Sequence, residues 1–295
     1  MKQKTIHALL AATILAAASA ACNVNTDKIK EAVGDEVKTA LADYAEKAID
    51  KLVAENQPDD TADAVEAAEG IEVPAPLTDR KEQILHRTAY TASYNSDTKL
   101  PNWVAWHLTA NHTSGPYKRG GIDFAEDEEV DEPRATDNDY YRSGYDRGHM
   151  CPSADNKWSE AAQLESFLFT NICPQSHGLN AGDWNEIEQQ CRRWADELGS
   201  VYIVSGPILY KGRHKTIGKN KVVVPEAFFK VVLCTEGAPK AIGFIYKNQP
   251  GNRPKGDYVN SVDEVERITG IDFFPALPDD IETKVEASAN LADWM

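Results

Sequence analysis

The spacing of apolar residues changes several times along this chain, and each change marks a segment. Between Asp27 and Asn56, Ile29, Val33, Val37, Leu41, Ala48 and Leu52 keep a mostly four-residue spacing, with Tyr44 beside them. That period predicts one amphipathic helix. From Gln57 to Pro76 the pattern dissolves into Ala, Asp, Glu and Pro, the composition of a linker. Helix and linker together resemble a stalk, although the helix could equally pack on the body or on another copy of itself. Beyond them, Trp103-Val104-Ala105-Trp106-His107-Leu108 and Val201-Tyr202-Ile203-Val204-Ser205 read as strands. Phe228 to Cys234 and Ala241 to Tyr246 read as a hairpin turned at Glu236-Gly237-Ala238-Pro239. Ala181 to Leu198 predicts a helix. Trp184, Ile187, Cys191, Trp194 and Leu198 form its stripe, and Gly199 stops it. Strands mixed with helices and long connections predict an α+β body over residues 78–281, with a central antiparallel sheet flanked by helices. Residues 282–295 read as an acidic tail, and there is no internal repeat.

The first 21 residues read as an export signal. Lys2 and Lys4 precede an apolar run from Ala8 to Ala18 that is too short to span a bilayer as a permanent helix. Ser19-Ala20-Ala21-Cys22 resembles a bacterial lipoprotein box, in which Cys22 becomes the acylated N-terminus. Ala18-Ser19-Ala20 would also suit ordinary signal peptidase. The lipoprotein reading is preferred, because a cysteine placed there by chance is the weaker explanation. Several acyl chains on Cys22 would give stable anchoring to a membrane. The expected location is the cell envelope, periplasmic or membrane-anchored, with the cell surface included. Cys151, Cys173, Cys191 and Cys234 remain. In an exported chain they permit two disulfides in three connectivities, or they are small core residues. Their spacing fits no zinc site.

The formal net charge is −16, which sits badly with a polyanionic partner until it is mapped. Residues 22–78 carry −9, residues 123–139 carry −8, and residues 261–295 carry −7. With the two lysines of the signal set aside, everything else sums to +6. The acidity is segregated, and the remainder is basic enough to meet phosphates. Lys211, Arg213, His214, Lys215, Lys219 and Lys221 form a stretch without acids. It is either a solvated hairpin loop or a phosphate track. The acidic segment Asp123 to Asp139 would be placed to limit access to a site.

Two stretches carry chemistry: Tyr145-Asp146-Arg147-Gly148-His149-Met150-Cys151-Pro152, and Thr170-Asn171-Ile172-Cys173-Pro174-Gln175 with Asn180, Trp184 and Glu188 after it. His149 can take a proton near neutral pH. Gly148 allows a tight turn or a close approach. Arg147 offers a permanent planar charge suited to phosphate. Asn180 either caps the helix or turns its carbonyl oxygen to a hard cation. Glu188 and Arg192 share a helix face, as a solvated pair or as one wall of a site. Singly, each residue is more readily explained as a surface pair, a loop histidine or a cap. Their order and spacing reverse that judgement.

Asp146-Arg147-Gly148-His149 resembles the signature of the DNA/RNA non-specific endonuclease family. Met150 to Asp155, Thr170-Asn171 with Pro174-Gln175, Asn180 with Trp184 and Glu188, Val201 to Pro207, and Thr269 to Pro275 resemble its further blocks, over roughly Asp79 to Ile281. The resemblance implies a ββα-metal active site. In it His149 is the general base and Asn180 the one protein ligand of magnesium, for which manganese can substitute. Glu188 orders water around the metal, Arg147 stabilises phosphate charge, and Arg192 assists in binding substrate. Asp146 and Asn171 support the site from behind. The family's additional upstream arginine matches either Arg119 or Arg134. DNA and RNA are the implied partners, 5′-phosphate and 3′-hydroxyl ends the implied products, and a homodimer is left open. Two alternatives stay beside this reading. One is a metal-dependent phosphodiesterase of narrower substrate range. The other is a non-catalytic nucleic-acid-binding envelope lipoprotein, against which the joint presence of His149, Asn180 and Glu188 argues.

Overall fold

The computed structural model describes residues 70–294. The export signal, Cys22, the helix expected over 27–56 and all but the end of the linker lie outside the described residues. Eleven strands are described: β1 Gln83–His86, β2 Thr91–Asn95, β3 Leu100–Thr109, β4 Asp146–His149, β5 Ile172–Gln175, β6 Ser200–Ile208, β7 Thr216–Ile217, β8 Val222–Val223, β9 Ala227–Cys234, β10 Lys240–Lys247 and β11 Val259–Asn260. The helices that matter here are α1 Asp137–Tyr140, α2 Glu160–Glu165, α3 His177–Leu179, α4 Asn185–Leu198, α5 Val262–Thr269 and α6 Asp279–Glu286.

Seven strands make one sheet in the order β1-β2-β3-β6-β9-β10-β11, every neighbouring pair antiparallel. This is the α+β body with a central antiparallel sheet that the apolar pattern predicts. Alternation decides which face each side chain serves. In β9, Phe228, Val232 and Cys234 join a core with Trp106 of β3 and Trp184 and Trp194 beside α4. Phe229, Val231 and Leu233 face the other way, toward Val262 and Val265 of α5 and Val285 of α6. With both faces covered, β3, β6 and β9 read as nearly continuous apolar runs rather than alternating ones.

The structure decides between the two readings of the cysteines and adds detail at the helix start and the chain's end. The cysteines at 151, 173, 191 and 234 form no disulfide; all four are free and buried, as small core residues. The expected helix from Ala181 begins as regular α-helix only at Asn185. Before it, residues Asn180–Trp184 form a wider π-type turn in which Gly182 leaves helical geometry (φ −102°, ψ −115°). The terminal segment is packed rather than a free acidic tail. Trp294 is buried with its ring centroid 4.7 Å from that of Trp194, whose indole N–H donates to the Trp294 carbonyl at 2.7 Å. Ile71, in the segment read as linker, is fully buried in the second core.

Candidate active site

A two-stranded ribbon and the helix after it build the site. β4 pairs antiparallel with β5, setting Gly148 opposite Cys173 and His149 opposite Ile172. Any side chain at residue 148 would collide with Gln175, since a Cβ there would lie 2.3 Å from the Gln175 amide oxygen. The glycine of the motif is therefore a packing requirement. Asn171 straps the backbone just past the histidine. Its side-chain amide N–H groups donate to the Cys151 and Ser166 carbonyls at 2.8 Å, and its carbonyl accepts from the Cys151 N–H at 2.9 Å. The Trp184 indole N–H donates to the His149 carbonyl at 3.2 Å and ties the helical layer to the ribbon.

His149 is 9 % exposed. Its ring lies between Phe124 and Phe167, with centroids 5.4 and 5.0 Å away. That burial, aided by the positive charge of Arg119, pushes the imidazole down to about 3, so the ring is neutral over the whole working range. Nε2 is sealed from solvent without a partner, which leaves Nδ1 to meet the cavity that the ring lines.

That cavity, about 420 Å³, gathers Arg147, His149, Asn180, Glu188 and Arg192. Lys118, Arg119 and Lys157 also line it, and Glu188 is its only carboxylate. The wall is strongly cationic in a chain whose sum is negative. The two upstream arginines lie in different surroundings. Arg119 lines the cavity and sits over Phe167, 5.7 Å from the ring centroid. Arg134 is bound to Glu126 and to the Val130 carbonyl elsewhere.

The Asn180 side chain does not cap the helix that follows. The residue has α-helical backbone angles, and its amide N–H donates to Asp146 Oδ2 at 2.9 Å. This leaves the amide oxygen as the free end of a side chain in the cavity wall. Asp146 also pairs with His177, at 2.8 Å. Burial pushes the Glu188 carboxyl up to about 7, against the pull of Lys230 and Arg192. A neutral amide oxygen and a carboxylate are hard donors, and so few of them suit magnesium, which keeps most of its waters.

Two arginines are not free as expected. Arg192 turns away from a simple pair with Glu188 and donates to buried Asp155 at 2.8 Å, and Asp155 also accepts from the Trp106 indole at 3.2 Å. Arg147 is paired with Asp137 of α1. Sequence reasoning passed over Asp155 as an anchor, although it closes the stretch after the histidine. It also passed over Lys230, fully buried with its ammonium 4.8 and 4.7 Å from the ring centroids of Trp106 and Trp184 and without a hydrogen bond. The acidic segment is largely structural. Asp127 binds Arg87 and Thr170 at 2.6 Å each. Asp139 accepts from Thr136 and Asn220 at 2.9 Å, pinning the β7–β8 hairpin.

A ribbon that presents a neutral histidine to a cationic cavity, walled by the helix that follows, is a ββα nuclease-type site. The fold matches a crystal structure of an EndoG/EndoGI complex with a TM-score of 0.64 and 28% identity, covering 67% of this chain and 87% of that one. The chain belongs to the DNA/RNA non-specific endonuclease family, whose model matches residues 68–280. It is 36% identical over 206 residues to the mitochondrial nuclease EXOG of Danio rerio, covering 64% of this chain and 60% of the relative's length. It is 31% identical over 207 residues to mitochondrial endonuclease G of Bos taurus, covering 65% and 69%. A nuclease of Nostoc sp. matches at 31% over 218 residues, covering 70% and 78%.

Proposed function

We propose that this chain is an exported, magnesium-dependent endonuclease that hydrolyses phosphodiester bonds of DNA and RNA with little sequence specificity. The observation that carries the reading is the convergence of a neutral His149, the Asn180 and Glu188 oxygens and five cationic side chains on one cavity. His149 Nδ1 takes the proton of a water that attacks phosphorus. The bond from phosphorus to the 3′ oxygen breaks, and that oxygen acquires a proton from solvent. The products are a 5′-phosphate and a 3′-hydroxyl. Arg147, Arg119 and Arg192 meet the charge that grows on the phosphate. Asn180 and Glu188 would hold magnesium, directly and through its waters, and when bound it supplies charge stabilisation at the phosphate and the leaving oxygen. Asp146 holds the Asn180 amide in place, and Asn171 holds the backbone behind His149. The mechanism needs no 2′-hydroxyl, so both nucleic acids fit.

A second groove is lined by Lys211, Arg213, Lys215 and Lys247 with one carboxylate, Glu226, and by Tyr145, two residues before Arg147. The Lys215 ammonium donates to the Tyr145 hydroxyl at 3.3 Å. Tyr145 immediately precedes the motif, so the groove suits the backbone flanking the cleaved bond and supports the phosphate-track reading. The signal and Cys22 support export and lipid anchoring. Plasmid, single-stranded DNA and RNA should all be cut by the full-length chain with magnesium, and none with EDTA or by His149→Ala. Cutting of only one defined substrate would favour a narrower phosphodiesterase. Cys22→Ser should move the protein from the membrane to the soluble fraction.

A further inference from the structure

We propose that the packing of α5 against α6 holds a second metal site, for a hard divalent cation such as calcium, formed by Asp263, Glu266 and Glu286. One carboxylate oxygen from each residue lies within 4.8 Å of the other two. Oxygens that close can share one hard divalent cation, since two on opposite sides of calcium stand roughly 4.6–5.2 Å apart. The ligands come from two elements. Asp263 and Glu266 are three apart on α5 and share a face, and Glu286 ends α6.

Glu286 supplies the independent sign that something is to be bound. It is only 5 % exposed, yet its Oε1 has no hydrogen-bond partner. A sealed carboxyl oxygen without a donor costs free energy that a cation at this point would recover. Glu266 is already oriented, because its Oε1 accepts from the Phe273 N–H at 2.7 Å. No described cation offsets the group. Asp272 and Glu282 are the other charges acting on Glu286, and Arg267 is committed to Glu264. The cluster belongs to the layer that covers the second face of the sheet, away from the His149 cavity on the first face. Its occupancy is therefore separate from catalysis, and the cation would clamp α6 onto α5.

The test is thermal unfolding of the full-length chain carrying Asn180→Ala, which weakens the cavity's own metal site, titrated with calcium chloride. At a hundredfold excess over Kd, calcium should raise the midpoint by about 5–10 °C. Glu286→Gln added to that chain should abolish the rise. Gln has the same shape and brings no charge among the neighbouring acids, so this variant should fold at least as well without calcium. Asp263→Asn, at an exposed position, should weaken the response without disturbing the fold. No rise with calcium, or a rise unchanged by Glu286→Gln, would overturn the proposal.

Discussion

Replacing His149 by glutamine isolates what burial does to the base. Glutamine keeps a planar polar group of similar size and removes the titratable ring. In the folded chain the imidazole is pushed from 6.5 to about 3, while in the unfolded chain it takes a proton near its ordinary value. The unfolded state therefore binds more protons below pH 6.5. The contribution of His149 to stability is complete above pH 6.5 and is lost as pH falls toward 3. Each pH unit in that window is worth about 1.4 kcal/mol, so the loss is about 2 kcal/mol by pH 5 and approaches roughly 5 kcal/mol at the acid end. Carboxylates add their own acid dependence, but they do so in both proteins. The readout is thus the difference between wild type and His149→Gln, from urea unfolding in EDTA at pH 7.5, 6 and 5. That difference should shift by about 2 kcal/mol between pH 7.5 and 5, to the disadvantage of the wild type. Parallel curves would mean that the ring titrates like an exposed one, and the argument for a permanently neutral base would fail.

Three further outcomes follow from the same contacts. Asp137→Asn frees the Arg147 guanidinium from its surface partner. It should lower KM for DNA by up to about fivefold at low salt, with the gain shrinking as salt rises and stability changing by less than about 0.5 kcal/mol, read from initial rates and urea melts. Trp294→Ala removes the ring packed on Trp194, a buried Trp→Ala change worth about 3–5 kcal/mol. Calorimetry should then show a midpoint lower by roughly 6–20 °C. Lys230→Met removes a cation that holds down the Glu188 carboxyl, which burial already pushes up to about 7. Because the carboxylate is the working form, the acid limb of kcat/KM should move to higher pH, and an unmoved limb would detach Lys230 from the site.

How much of this was legible depended on how local each feature is. The site was readable because β4, β5 and α4 lie within one stretch of chain, so the motif and the spacing to Asn180 and Glu188 carry the geometry with them. The strands were readable because layers on both faces turn β3, β6 and β9 into unbroken apolar runs. Pairings between distant segments were not. Asp155 and Arg192 are 37 positions apart, and Asp139 reaches Asn220 across 81; neither pair leaves a periodic trace. Lys230 looked like a polar interruption between Phe229 and Val231, where alternation in fact buries it with Phe228 and Val232. Trp294 was the one signal that residues 282–295 are not a free tail, and the surrounding acids hid it. The late start of regular helix at Asn185 follows from Gly182, whose freedom a helical stripe does not reveal.

The charge map joins these observations. A sum of −16 would argue against a polyanionic ligand only if the acids shared the surface that meets it. They do not. Within the acidic segment, Asp127 and Asp139 are buried and spent on Arg87, Thr170, Thr136 and Asn220. Asp263, Glu266 and Glu286 face one another in the α5–α6 layer on the far side of the sheet. Among the described residues, the cavity is lined by five cations against one carboxylate, and the groove adds Lys211, Arg213, Lys215 and Lys247 against Glu226, which is paired with His214. From the acidic segment Asp137 reaches across, and it is bound to the arginine that a phosphate would claim. It stands where a substrate phosphate would have to displace it, so the segment restrains access through one exposed ion pair rather than through bulk repulsion. Salt should therefore act in two opposed ways, weakening the Asp137–Arg147 pair while screening the phosphate contacts. Because the phosphate contacts outnumber that one pair, screening should win at every salt concentration.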